Sequence, residues 1–228
     1  MSRRGGGGRL RLSGGAHRGR VLKVPAGARP TEARVREALF SSWGERLGGA
    51  RLLDLYAGSG AIALEAAGRG ALDVVAVEGN PKAAEMLEEN RQALGETGIV
   101  RVLRLRLPLG LAKLRQRAER PFDLIFADPP YAFTDHPGLL GALEPLLAAE
   151  GEAVLEHDSR RDPPLVVGSL VRVRKRRYGE CALSSYRRAT VSQDVGSQAG
   201  SSTDGDPNED GSHRDSSPSS FPEDSRVD

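Results

Sequence analysis

A Leu-rich run, Arg51–Tyr56 (RLLDLY), passes through Ala-Gly-Ser-Gly straight into a small-residue stretch, Ala61–Ala67, and this junction constrains the chain more than any other feature. An apolar run, a glycine pair and then helix-forming residues read as a buried strand, a tight turn and a helix packed closely on it. The same punctuation recurs downstream. Strand-like runs at Leu72–Glu78, Val100–Leu105, Phe122–Asp128 and Gly151–Glu156 alternate with helix-like runs at Ser59–Arg69, Pro81–Leu94, Pro108–Ala118 and Gly138–Ala149. Such alternation implies a mainly parallel sheet covered by helices on both faces. Leu165–Arg174 and Cys181–Arg187, joined by Lys175–Glu180, read as a closing antiparallel hairpin. The expected architecture is α/β and Rossmann-like, with a mostly parallel seven-stranded sheet.

The flanks differ from this body. Leu10–Pro25 reads as a basic hairpin around Gly14-Gly15 and Gly19. A helix follows, with Pro30 before it, Thr31 as N-cap and Glu32 in its first turn. Val35, Leu39, Trp43 and Leu47 recur every four residues and form its apolar face, which leaves Arg34 and Arg36 available on other sides. Residues 191–228 carry 9 acidic and 2 basic side chains and ten serines, with almost no large apolar residues, so their composition predicts a disordered acidic tail. The other 190 residues hold 31 basic and 22 acidic groups, and the first 30 have 8 Arg/Lys and no acid. A basic body suits a polyanionic partner such as nucleic acid. The expected organisation is a flexible start (1–9), a basic hairpin and helix (10–48), an enzyme domain (49–190) and the tail (191–228).

One cysteine, Cys181, excludes an internal disulfide framework and fits a reducing compartment. No apolar stretch approaches the ~20 residues that span a bilayer, and the start lacks the apolar segment of a secretory signal, although an Arg-rich, acid-free start also suits an organellar transit peptide. The four histidines, His17, His136, His157 and His213, show no ligand spacing, so no metal is expected. His157 follows Glu156 at a strand end and reads as a packing residue, with the crevice as its alternative place.

Gly58, Gly60 and Ala63 satisfy the dinucleotide fingerprint, and Glu78 ends the next strand 20 residues after Gly58, where an acid can bind ribose hydroxyls. Asp54 argues for a different ligand. It precedes the loop by four residues, and a carboxylate there repels a pyrophosphate but suits a cation carrying an amino group. S-adenosylmethionine has the ribose and the amino group and no phosphate. Asp54, Gly58, Gly60 and Glu78, with Tyr56 and Ser59 from the same loop, are therefore candidate cofactor residues.

Asp128-Pro129-Pro130-Tyr131 follows the fourth strand of the series directly. In an open parallel sheet, ligands sit at the carboxyl ends of strands. Two prolines fix the backbone and offer no N–H, so the acceptors left are the Asp128 carboxylate and the Pro129 carbonyl, beside the flat face of Tyr131. That set suits methylation of an exocyclic amine on a planar base. Two acceptors bonded to its N–H groups draw the nitrogen out of conjugation, so that its lone pair can attack a methyl carbon, while Asp128 can take the released proton. Stacking on Tyr131 contributes ~1–3 kcal/mol, and a base within a duplex must first be extruded.

These motifs, with GGAHRGRVLKVP, RPTEARVREALF, LLDLYAGSGAIALEA, FDLIFADPPY and YGECALSSYR, make the chain from Leu10 to Arg188 resemble the bacterial 16S rRNA guanine-N2 methyltransferases of the RsmD type. The resemblance implies the class I methyltransferase fold and a cytoplasmic, S-adenosylmethionine-dependent enzyme. It implies methylation of one guanine of the small-subunit RNA, presented in an assembly intermediate, by an enzyme expected to be monomeric. By the same resemblance Arg18, Arg20, Lys23, Arg29, Arg34 and Arg36 touch RNA or close the cofactor pocket. One position departs from the pattern: where the family has Asp or Asn for the adenine of the cofactor, this chain has Arg106-Leu107. The alternatives are another D-P-P-Y methyltransferase acting on adenine N6, a ribosome-assembly RNA-binding protein without turnover, and, more distantly, a nicotinamide enzyme. The basic run Arg172–Arg177 reads equally as a solvated sheet edge or as a phosphate contact.

Overall fold

The computed structural model describes residues 8–24 and 33–189. A compact unit spans Met1–Thr190; the expected tail (191–228), Arg29 and the Pro30–Glu32 helix start lie outside the described residues.

This unit opens with a two-stranded antiparallel ribbon, β1 (Gly8–Arg11) and β2 (Val21–Val24), which pairs Leu10 with Leu22. Its connecting loop does not turn in solvent. Ala16 N–H bonds Gly68 O at 2.7 Å, and a Cβ on Gly15 (φ 68°) would stand 2.4 Å from that same carbonyl. The glycine pair thus lets the loop lie directly on the end of helix α2 (Ala61–Gly68).

Helix α1 (Ala33–Trp43) precedes α2 and buries Val35, Leu39 and Trp43 as the i+4 spacing requires. It also buries Phe40 and Arg36. Leu47 stays in the core, but it comes from a 3-10 turn, Gly44–Leu47, after the helix has ended.

The main sheet contains β3 (Arg51–Leu55), β4 (Asp73–Glu78), β5 (Val100–Arg104), β6 (Phe122–Ala127), β7 (Leu147–Asp158), β8 (Val166–Val167), β9 (Leu170–Tyr178) and β10 (Cys181–Arg188). Their order is β5-β4-β3-β6-β7-β10-β9-β8, with β3 to β7 parallel and β7 to β10 antiparallel. Seven strands are substantial and the eighth, β8, is a two-residue edge. Helices α3 (Pro81–Leu94), α4 (Leu111–Arg117) and α5 (His136–Leu143) complete the crossovers.

Alternate residues of the strands feed two cores. Leu52, Val74, Phe126 and Val154 pack with α1, α2 and Leu87 of α3. Leu53, Val75, Ile125 and Leu155 pack with Leu111, Leu114, Leu139 and Leu143 of α4 and α5. Burial on both faces explains why these strands read as continuous apolar runs.

Several boundaries differ from expectation. Helix α5 stops at Leu143 rather than running to Ala149; Pro145 follows in a 3-10 turn, and β7 starts at Leu147, four residues before the expected Gly151. Helix α4 covers Leu111–Arg117 rather than Pro108–Ala118. The basic segment Lys175–Tyr178 belongs to β9 rather than to the hairpin connection, and the connection is two residues, with Gly179 at φ 61°, as tight hairpins require.

Candidate active site

The order β4-β3-β6 means that connections leave β3 towards one side of the sheet and return to β6 on the other. A crevice opens at such a switch point. Both sequence motifs stand there. The glycine turn leaves the end of β3 and Asp128 leaves the end of β6, with Leu55 paired to Ala127 and Asp128 N–H bonded to Leu55 O at 3.3 Å.

The turn is held open by backbone conformation. Tyr56, Gly58 and Gly60 have φ of 61°, 55° and 85°. At Gly60 a Cβ would meet Leu87 at 2.8 Å, so only glycine lets α2 and α3 approach; at Gly58 a Cβ meets nothing within 4 Å, so that backbone faces open space. Ser59 is buried, and its carbonyl is fixed by Asn90 Nδ2 at 3.0 Å. Asn90 also exchanges hydrogen bonds with the backbone of Lys23, at 3.0 and 2.9 Å, which ties the N-terminal ribbon to the turn. Glu78 bridges the turn from β4: it accepts from Gly58 N–H at 2.8 Å and Asn80 N–H at 2.7 Å. Tyr56 Oη is buried without a hydrogen-bond partner among the described residues.

Asp54 lies under the turn, 1% exposed, and accepts from Ala63 N–H at 3.0 Å. Burial, opposed by that hydrogen bond and reinforced by the charges of Asp128 and Glu78, pushes its pKa from 3.8 up to about 8. In the ligand-free protein the folded chain therefore holds a proton that the unfolded chain has lost between about pH 4 and pH 8, and stability falls by ~1.4 kcal/mol per pH unit across that window before levelling. Asp54→Asn keeps an acceptor for Ala63 and removes the titration. Its stability advantage over the parent in urea unfolding is expected to grow by about 2–3 kcal/mol from pH 6 to pH 8; an advantage independent of pH would contradict the assignment.

On the other side of the crevice, Asp128, Pro129, Pro130 and Tyr131 line a pocket with Phe133, His136, Glu156, His157, Asp158, Arg161 and Cys181. Pro129 is buried and Tyr131 is 51% exposed, its ring at the rim. His157 Nδ1 lies 2.8 Å from Asp158 O and its Nε2 2.9 Å from Ser184 Oγ. The carbonyl can only accept, so Nδ1 carries the proton and Nε2 accepts from the serine. Burial pushes the pKa of His157 and of His136 down, which keeps both rings neutral at pH 7. His157 thus both packs, as its sequence position suggests, and lines the pocket. Glu156 is not among the sequence-based site residues, although the rule that strand carboxyl ends face the ligand could have pointed to it; Phe133, His136 and Arg161 carry no sequence signal.

The Arg106-Leu107 segment follows β5 beside Glu78: a Cβ on Gly79 would stand 3.1 Å from Arg106 Cα and from Leu105 O. Leu107 packs against the α4–α5 core, so this loop offers the crevice its backbone.

Of the basic candidates, Arg18, Arg20, Lys23 and Arg34 are exposed. Lys23 pairs with Glu89 at 2.8 Å, and Arg20 donates to Ala93 O at 3.3 Å. Arg36 is a correction. It is 1% exposed, donating from Nε to Glu65 Oε2 at 3.0 Å and from Nη2 to Arg11 O at 2.8 Å; a side chain enclosed between the ribbon and two helices cannot meet RNA. In the basic run, Arg172 and Lys175 pair with Asp162, whereas Arg174 and Arg176 have no ion pair among the described residues and line a cleft with Ala38 and Ser42 of α1.

Residues 10–187 match the family profile described as Conserved hypothetical protein 95. The Ribosomal RNA small subunit methyltransferase D of Escherichia coli K12 is 33% identical over 80% of this chain and 92% of its own length. The chain belongs to this RsmD-type methyltransferase family. YlbH of Bacillus subtilis, described as a putative rRNA methyltransferase, is 35% identical over 78% of this chain and 99% of its length. A hypothetical protein of Thermus thermophilus superposes with a TM-score of 0.67 at 36% identity, covering 79% of this chain and 99% of its own. Family membership makes the chain an S-adenosylmethionine-dependent methyltransferase on the class I fold. Among the described residues no group of three or more His, Cys, Asp or Glu side chains could hold a metal ion, and no helix is long and apolar enough to cross a membrane.

Proposed function

We propose that this enzyme methylates the exocyclic N2 of a guanine in 16S ribosomal RNA, acting as a cytoplasmic monomer on a small-subunit assembly intermediate. The observation that carries this reading is the adjacency of the two motifs: Asp128 is bonded through its N–H to the last residue of the strand that launches the glycine turn.

The residues present fit S-adenosylmethionine. Glu78 and Asp128 place negative charge beside the buried Asp54 carboxyl, and a cationic ligand bound there favours the ionised form of Asp54. The open side of Gly58 admits a close approach, and Tyr56 Oη is a buried hydroxyl that a bound ligand can satisfy. Glu78 retains lone pairs for ribose hydroxyls beyond its two backbone bonds, and the Leu105–Leu107 backbone lies next to it for the adenine. When bound, the cofactor supplies an electrophilic methyl group on a sulfonium.

The protein's part is to make the amine a nucleophile. The Asp128 carboxylate and the Pro129 carbonyl accept its two N–H bonds and turn its lone pair out of the ring plane. Tyr131 supports the base from the rim, and Asp128 takes up the proton released as the N–C bond forms. Exposed Arg18 and Arg34, together with Arg174 and Arg176, supply charge for the RNA backbone.

The test is nucleoside mass spectrometry of small-subunit RNA from cells with and without the gene. One N2-methylguanosine is expected to disappear and to return with the wild-type gene but not with an Asp128→Ala copy. Loss of an N6-methyladenosine instead would favour the adenine reading, and unchanged RNA would favour an assembly factor without turnover.

A further inference from the structure

Glu156 stands beside Asp128. Strands β6 and β7 pair Phe126 with Val154 and Ala127 with Leu155, so the next step of the same register sets Asp128 opposite Glu156. Side chains alternate along a strand. Phe126 and Val154 belong to the core beneath α1 and α2, and Asp128 and Glu156, two residues further on, share that face. Neighbouring strands lie ~4.8 Å apart, and both carboxyl groups line the one pocket. Glu156 is 9% exposed. The histidines behind it are neutral, and Arg161, at the rim, is the one permanent cation among the described residues of the lining.

We propose that Glu156 selects guanine by accepting its N1–H while Asp128 and Pro129 hold the N2 amino group; this rests on the guanine-N2 reading above. Guanine alone of the four bases carries a ring N–H next to an exocyclic amine, and two neighbouring acceptors on adjacent strands match that row of donors. Adenine sets a bare N1 lone pair beside its amine. Against a carboxylate that is acceptor facing acceptor, with both groups desolvated and neither satisfied, a mismatch worse than a missing bond.

The discriminating substrate is small-subunit RNA carrying 2-aminopurine in place of the modified guanine. It keeps the 2-amino group and replaces N1–H by an acceptor. The wild-type protein is expected to prefer guanine by about 100-fold in kcat/KM. In Glu156→Gln the amide can donate to the 2-aminopurine N1, so that substrate gains, guanine loses, and the preference shrinks to about tenfold or less. Glu156→Ala removes the repulsion without adding a donor and is expected to fall between. The ratio compares two substrates on one preparation, so partial misfolding cancels, and cofactor affinity measured alongside is expected to stay at the wild-type value. A wild-type ratio retained in both variants would overturn the role of Glu156. An N6-methyladenosine product from the wild-type protein would overturn the guanine-N2 reading, and Glu156's role with it.

Discussion

Asp128→Ala lowers kcat for methyl transfer by about 10²–10⁴-fold, the range expected for removal of a positioned proton acceptor, and leaves RNA binding close to wild type. The size follows from two functions lost together. The amine loses one of the two acceptors that pull its lone pair out of the ring, and the proton released on N–C bond formation loses its acceptor. Neither contact is strong until the nitrogen pyramidalises and acquires positive charge, so the loss falls on kcat rather than on the KM for RNA. Asp128→Asn separates the functions: the amide oxygen still accepts a hydrogen bond but cannot take a proton, and activity falls between wild type and alanine. Single-turnover rates with saturating RNA, together with filter-binding affinities, measure both parts. An alanine variant within a factor of about three of wild type would remove Asp128 from the chemistry. A variant that lost RNA affinity in proportion to its rate would make it a binding residue instead.

The parts of this site legible in sequence are those the chain makes locally. The glycine turn needs positive φ at Gly58 and Gly60, and glycine at those positions is visible without coordinates. Asp128-Pro129-Pro130-Tyr131 is contiguous, and its place at a strand end follows from the apolar run before it. What the sequence hides depends on partners distant along the chain. Glu156 enters the site only because β7 lies next to β6 with its carboxyl end at the same edge. Helix α5 reads too long in sequence because Leu146-Leu147 continues its apolar pattern, while Pro145 and the sheet claim those residues. Lys175–Tyr178 reads as a loop because charge usually marks one; on an outer strand of the sheet, exposed Lys and Arg are tolerated and protect against edge pairing. Arg36 is the most deceptive position. It stands three residues before Leu39 and seven before Trp43, on the buried side of the helix, but an arginine reads as exposed, and nothing near it in sequence shows that a carboxylate 29 residues away awaits it inside.

That carboxylate, Glu65, is where the largest loss of stability is expected. Its side chain is fully buried, and it accepts from Ser13 N–H at 3.0 Å, Ser13 Oγ at 2.7 Å, Arg36 Nε at 3.0 Å and Arg69 Nη2 at 2.7 Å. Burial opposes its charge, but the hydrogen bonds from Ser13 and Arg69 and the charge of Arg36 prevail and hold its pKa below the usual value. One carboxylate therefore joins the N-terminal ribbon, α1 and α2, the helix that the glycine turn launches. Glu65→Ala takes away the carboxylate to which the enclosed Arg36 guanidinium donates, and removing one partner of a buried pair costs about 3–5 kcal/mol. At ~2–4 °C per kcal/mol for a domain of this size, the melting temperature falls by roughly 10 °C. Because Arg36 is then the liability, Arg36→Leu added to Glu65→Leu recovers part of the loss, while Ser13 N–H remains without its acceptor and keeps the recovery incomplete. Thermal unfolding of the single and double variants measures both effects. Equal melting temperatures for Glu65→Leu and the double variant would mean that the enclosed guanidinium is not what destabilises the fold, and that the ribbon is held by packing of Leu10, Leu12 and Leu22 against the core.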